Sequence, residues 1–262
     1  MTQPFADHFL SVAPAYAAAR PTYPDALLAY VARCAPARRH AWDCGAGSGQ
    51  ATRALAQRFD RVTASDASAA QLGQATPLAN VEYRVAPAER SGLPDGSVDL
   101  VTVAQALHWF DVPAFFAEAR RVLVPGGVVA VWCYGMQRVG DDAVDRILSR
   151  FYTDTVGPYW PPERRLVETG YRTLAFPFDE LRPPAFEMSV AWALADLLAY
   201  IRTWSATGRY SQAYGRDPVM ALADELAPLW GPPGSSRTVR WPLSLRVGRA
   251  PGGEGALDQG ER

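Results

Sequence analysis

The chain contains no lysine, and all 26 of its strongly basic side chains are arginine. Its absence excludes a Schiff-base lysine and the lysine of a phosphate-binding P-loop. Cysteine is scarce as well. Cys34, Cys44 and Cys133 are odd in number, widely spaced and form no CxxC pair, so neither a disulfide framework nor a zinc cluster is expected, and no metal ligand set is assigned. That usage fits a reducing cytoplasm. No apolar run approaches the roughly 20 residues that cross a bilayer, and the segment from Met1 to His8 carries an Asp and no Arg. Neither a membrane anchor nor an address signal is expected. Charge of one sign is lacking too: 26 basic side chains face 27 acidic ones, with no arginine cluster to follow a phosphate backbone. Nucleic acid is therefore not the expected partner.

What is present is an ordinary globular composition, 262 residues at 48% hydrophobic and 20% charged. That is enough for one large domain, or for a core with a cap. From Ala41 to about Trp132, short apolar runs alternate with helical patterns, the signature of βαβ units and a parallel sheet. Strands are predicted over Ala41–Cys44, Val62–Ser65, Val81–Val85, Val98–Ala104 and Val128–Trp132, with Ser68–Ala75 helical between the second and third. Asp111 is a suitable cap for a helix running to Leu123, with Pro113 in its first turn and Pro125-Gly126-Gly127 as its stop. Further on, Val144, Ile147, Leu148, Phe151 and Tyr152 make one helical stripe, and Trp192–Ser205 contains another. A further helix follows Asp217. Val239, Trp241, Leu243, Leu245 and Val247 alternate with polar residues, as in a strand with one buried face, and Pro242 suggests an edge or a bulge. On these patterns the expected division is an N-terminal segment with a helix (1–35), an alternating core (36–135), a mainly helical region (136–237), a last core strand (238–248) and a disordered tail (249–262).

The chemistry concentrates in Asp43-Cys44-Gly45-Ala46-Gly47-Ser48-Gly49. A strand that ends in glycines and opens a helix offers backbone N–H groups and a positive dipole end to a ligand, and missing side chains let that ligand approach closely. The dinucleotide pattern GxGxxG needs a glycine where Gln50 stands, which argues against a diphosphate. Asp66, at the end of the second strand, suits the hydroxyls of a ribose. Both acids also suit plain turn caps. His108, just past a strand end, suits a general base, but between Leu107 and Trp109 it equally suits a packed core position.

These segments resemble class I S-adenosylmethionine-dependent methyltransferases. The resemblance rests on the glycine bend, Asp66, Pro87-Ala88-Glu89 followed by Leu93-Pro94, the run from Val98 to Phe110, and Arg121 to Gly127. It is nearer to the small-molecule branch that includes trans-aconitate methyltransferase-like proteins, which share a start like Tyr16 to Pro24. It implies a Rossmann-like, mostly parallel seven-stranded sheet with one antiparallel strand, 239–247, helices on both faces and a helical cap. It implies S-adenosylmethionine as cofactor, with Asp43, Gly45, Ala46 and Gly47 at its methionine end and Gly49 at the helix start. Asp66 falls to the ribose, Ala88 and Glu89 to the adenine, Gln105 to the sulfonium and Tyr16 to the cofactor or substrate, and Ala67 joins the cofactor contacts. Pro87 departs from the acid that many members carry there. Tyr16, Arg20, His108, Trp109 and Trp204 are the candidate substrate contacts, with His108 as the candidate catalytic base.

The implied activity is methyl transfer to a small molecule, by O-methylation of a carboxylate or hydroxyl, in a cytoplasmic monomer or homodimer. An NAD(P)-dependent oxidoreductase and a non-catalytic cofactor-binding protein are the alternatives.

Overall fold

A computed structural model describes residues 21–251. Tyr16, Arg20 and the tail from 252 onward lie outside the described residues. The chain divides into two compact units. One comprises Asp25–Trp132, Leu174–Pro184 and the chain from Leu245; the other holds Cys133–Thr173 and Ala185–Ser244. The short stretch 174–184 thus belongs with the core rather than with the cap region assigned from sequence.

The first unit opens with helix α1 (Asp25–Cys34), which buries Leu27, Leu28, Val31 and Ala32 on one face. It then alternates strand and helix: β1 (His40–Cys44), α2 (Gln50–Ala56), β2 (Arg61–Asp66), α3 (Ala69–Leu72), β3 (Val81–Val85), β4 (Val98–Ala104), α4 (Val112–Val122) and β5 (Leu123–Tyr134). β6 (Asp179–Leu181) and the long β8 (Ser236–Arg249) complete the sheet, in the order β3-β2-β1-β4-β5-β8-β6. Every residue of β1 is buried, as expected of a strand covered on both faces. β1, β2, β3, β4 and β5 pair in parallel, and β8 runs antiparallel to β6. An eighth strand, β7 (Phe186–Ala193), pairs antiparallel with the first half of β8. Successive crossovers lead from β1 outward to β3, and the chain then returns to β4 on the other side of β1. Ligands bind beyond the carboxyl ends of strands at such a switch point.

Two local expectations are corrected. The helical pattern of Ser68–Ala75 yields only the one-turn α3, which buries no residue, so nothing beyond its Ser68 cap extends it. Helix α4 stops at Val122, ahead of Pro125-Gly126-Gly127. That tripeptide lies inside β5 instead, where the pairing with β4 slips between Val98 and Leu100. Gly126 has a φ of 73°, and a Cβ on Gly127 would meet the Val124 carbonyl at 2.8 Å.

The second unit contains α5 (Asp142–Arg150), a π turn over Phe151–Thr155, a short turn over Gly157–Tyr159, α6 (Arg164–Glu168), β7, α7 (Leu194–Arg202), α8 (Ser205–Tyr214), α9 (Val219–Trp230) and the first half of β8. Trp192 stands in β7 rather than in the expected helix, which begins at Leu194. Pro242 pairs in register with Glu187 of β7. This unit has its own core of Val144, Leu148, Phe151, Leu197, Ile201, Trp204, Leu222, Leu226 and Trp241, among others. No helix of the described residues is long and apolar enough to cross a membrane.

Candidate functional site

β1 ends at Cys44, and the chain turns through Gly45 to Gly49 before α2 begins. Burial pushes the Cys44 thiol well above its usual range, which leaves it an inert core residue rather than a nucleophile. The bend is pinned to its neighbour strand, because the Gly45 and Ala46 amides both donate to the Ser65 carbonyl, at 2.8 and 3.0 Å. Its three glycines have left-handed backbones, with φ of 69°, 55° and 80° at 45, 47 and 49, a region that costs a side-chain-bearing residue about 1–2 kcal/mol. They differ in what surrounds them. A Cβ on Gly45 would meet Ala106 Cβ at 2.6 Å and Phe110 at 3.0 Å, whereas one on Gly47 would meet only the Gln71 side-chain oxygen, at 3.8 Å. Gly45 is required by packing within the protein. At Gly47 the main chain is open.

The two acids flank this bend in different ways. Asp43 is 1% exposed, and its carboxylate accepts from Thr52 Oγ1 at 2.6 Å and Thr102 Oγ1 at 2.9 Å. Burial pushes its carboxyl up to about 6, and the two threonine hydroxyls pull against that rise. Asp43 therefore ties the end of β1 to α2 and β4 and sets the position of the bend. Asp66 closes β2, and its carboxylate accepts from the Gly47 amide at 2.9 Å and the Ser68 amide at 2.8 Å. Ala67 beside it is exposed.

Further around the strand ends, Ala88 is buried and Glu89 accepts from the Asp111 amide at 2.9 Å. Asp111 in turn caps α4 by accepting from the Ala114 amide at 3.2 Å. Gln105, directly after β4, adopts a φ of 58°, and its amide donates to the Trp132 carbonyl at 2.8 Å. A non-glycine residue held there stores strain, and such residues cluster at functional sites. His108 is buried in the turn Leu107–Trp109, its ring 4.7 Å from that of Trp109.

The structure thus brings together Asp43, the bend, Asp66 and Ala106, and links Glu89 to the start of α4. Trp204 belongs to the other unit, where it packs against Phe151, Tyr152, Trp160 and Tyr200. Sequence reasoning missed Thr52 and Thr102. Thr102 is the direct register partner of Asp43 across the β1–β4 ladder, a relation between distant strands that the sequence alone does not display. Among the described residues no cluster of His, Cys, Asp and Glu is arranged to hold a metal ion.

Comparison with known proteins bears on this arrangement. A family described as a methyltransferase domain matches residues 42–131, which includes the bend, Asp66, Glu89, Gln105 and His108. A protein of Dictyostelium discoideum named as a methyltransferase is 35% identical over 225 residues, 85% of this chain and 86% of that protein. An uncharacterized methyltransferase of Mycobacterium tuberculosis is 37% identical over 134 residues, 50% of this chain and 54% of its own length. A solved structure from Anaeromyxobacter dehalogenans, described as a type II methyltransferase, shares 47% identity and superposes with a TM-score of 0.84, covering 89% of this chain and 99% of its own. With near full-length likeness in sequence and in fold, and a glycine bend and acid pair at the switch point of a Rossmann-like sheet, the chain belongs to the class I S-adenosylmethionine-dependent methyltransferases.

Proposed function

We propose that this methyltransferase acts on an oxygen of a small molecule, a carboxylate or a hydroxyl, and that the bend between β1 and α2 holds its cofactor. The observation carrying the cofactor assignment is the contrast between the two glycines: Gly45 is packed shut, while the main chain at Gly47 has open space beside it and Asp66 at its amide. An open, side-chain-free bend with a carboxylate next to it fits an adenosine joined to an amino acid. When bound, S-adenosylmethionine supplies a methyl group on a sulfonium sulfur, which an in-line nucleophile can accept.

In this reading Gly47 and Ala46 border the amino-acid end and Gly49 starts the helix behind them. Asp66, with Ala67, takes the ribose hydroxyls, and Ala88 and Glu89 flank the adenine. Asp43 is a positioning residue, since its two oxygens serve Thr52 and Thr102. Gln105 borders the reacting centre. Rate comes chiefly from alignment and exclusion of water. A carboxylate acceptor needs no base, whereas a hydroxyl acceptor would give its proton to His108.

Support for a small acceptor comes from the near-zero net charge, −1, which offers no field for a nucleic acid, and from the resemblance to the small-molecule branch. The test is to incubate the protein with S-adenosylmethionine and a panel of organic acids, phenols and alcohols. Release of S-adenosylhomocysteine is followed together with the methylated product. Alkaline lability of that product separates an ester from an ether. Methylation confined to amines, or to macromolecules, would refute the oxygen and small-molecule assignments.

A further inference from the structure

The loop between β4 and α4, residues 105–111, carries Gln105 and His108, and both of its ends are held from outside. At its start the Gln105 amide donates to the Trp132 carbonyl at 2.8 Å. Inside the loop the bonds are local, from the Trp109 amide to the Ala106 carbonyl at 2.9 Å and from the Phe110 amide to the Leu107 carbonyl at 3.2 Å. Ala106 and Phe110 lie against the bend, where a Cβ on Gly45 would meet them at 2.6 and 3.0 Å.

The far end is held by a side chain from another loop. Asp111 is the N-cap of α4, and its carboxylate serves the Ala114 amide. Its own amide also needs an acceptor. In a capping box a Glu or Gln three residues on supplies it, but that position here is Ala114, whose side chain has no acceptor. Glu89, 22 residues earlier in the chain, supplies it at 2.9 Å, and the helix dipole favours a carboxylate at that end. The loop bearing Glu89 is itself fixed. The Ala86 amide donates to the Asp66 carbonyl at 3.0 Å and the Arg90 amide to the Pro87 carbonyl at 3.2 Å, and Ala88 is buried. Bonds therefore lead from Asp66, through 86–90, to the end of 105–111.

We infer that Glu89 is a positioning residue for methyl transfer: through the Asp111 amide it holds the loop bearing Gln105 and His108 against the cofactor bend. This rests on the cofactor reading above and gives Glu89 a task there beyond flanking the adenine. Such a task matters to rate, since a reacting group displaced by about 1 Å can lose on the order of a hundredfold.

The full chain, labelled with nitrogen-15, is compared as wild type, Glu89→Ala and Glu89→Gln. The Trp109 indole N–H resonance, assigned by its loss in Trp109→Phe, reports on the loop. A single sharp line is expected in the wild type, and a shifted, broadened or doubled one in Glu89→Ala. Glutamine keeps an accepting oxygen, so Glu89→Gln should restore the wild-type line. Affinity for S-adenosylhomocysteine, by calorimetry, should change less than about threefold in Glu89→Ala. Turnover of an acceptor from the panel should fall about tenfold in Glu89→Ala, with KM for S-adenosylmethionine kept, and recover in Glu89→Gln. An unaltered Trp109 line in a folded Glu89→Ala overturns the inference. So does a loss confined to cofactor affinity, which would make Glu89 a cofactor contact alone. If Glu89→Ala does not fold, hydrogen exchange of the Asp111 amide in the wild type decides: slow exchange is expected, and exchange at the rate of an open amide overturns the bond. A wild type that binds no S-adenosylhomocysteine fails the cofactor reading alone, because the Trp109 line still decides what Glu89 holds.

Discussion

The two units treat their buried polar groups differently. Around β1 they are paired with one another: Asp43 with two threonines, Trp42 Nε1 with Ser65 at 2.8 Å, and His40 with Thr63 at 2.9 Å. Glu118 is bound by Ser91 and Arg121. In the other unit the interior is aromatic, and Gln137, Trp160 and Thr207 hold buried polar atoms without partners. Pairing of the first kind fixes one backbone geometry, which a cofactor-binding bend needs. Unpaired donors weaken the fold that carries them. The unit with the bend pairs the polar groups of its first strand, and the other leaves several of its buried polar atoms unpaired.

The strongest way to break this contrast is inside the unit with the bend. Gly45→Ala combines a left-handed backbone with a 2.6 Å approach to Ala106, so thermal unfolding should show a loss of about 3 kcal/mol or more. A near-neutral change would mean that the bend is not packed as described.

Glu118→Gln comes next, with a loss of about 2 kcal/mol at neutral pH in denaturant titration. Burial alone would raise this carboxyl, but Arg121 and Ser91 outweigh it and hold it at about 2, below the ordinary 4.5. A depressed folded-state value stabilises above the ordinary one and is lost as pH falls. The gap between wild type and variant should therefore close between about pH 4.5 and 2. A gap that persists unchanged across this range would contradict the pairing. Asp43 has the opposite sign: with its carboxyl raised to about 6, its ionisation takes stability away as pH rises toward that value.

Asp66→Asn sharpens the contrast from the functional side. It should weaken binding of S-adenosylhomocysteine by about 1–3 kcal/mol in calorimetry, with a smaller change in melting temperature. Unchanged affinity would remove Asp66 from the site.

The smallest effect is expected in the other unit. Gln137 is fully buried, and neither end of its amide has a partner. Gln137→Met should raise stability by about 1 kcal/mol. Lower stability would show that the amide is serving the fold after all.

How far the sequence reveals this molecule follows the same division. The parallel strands and the bend are legible because buried strands demand continuous apolar runs and left-handed turns demand glycine: the ranges of β3 and β4 coincide with the predicted ones. Strands β6 and β7 are not legible, since Phe186–Ala193 carries only one buried residue, Met188, and so lacks a clear alternation. Helix α8 also escapes notice, because its polar sequence buries only Ala206 and Thr207 and shows no apolar stripe. In the site, Asp66 and the glycines are legible as types, but the reason for Gly45 depends on Ala106 across the sheet end, a contact that no local pattern encodes. Of the two bonds that occupy Asp43, the one from Thr102 likewise comes from register between distant strands, and the one from Thr52 comes from the helix that follows the bend.

The most direct test of the central claim, that the open main chain at Gly47 receives the cofactor, is calorimetric titration of S-adenosylhomocysteine into wild type and Gly47→Ala, with melting curves for both. The wild type should bind. The variant should stay folded, losing about 1–2 kcal/mol of stability to its left-handed backbone, and should bind at least an order of magnitude more weakly. Equal affinity in a folded Gly47→Ala would contradict the account.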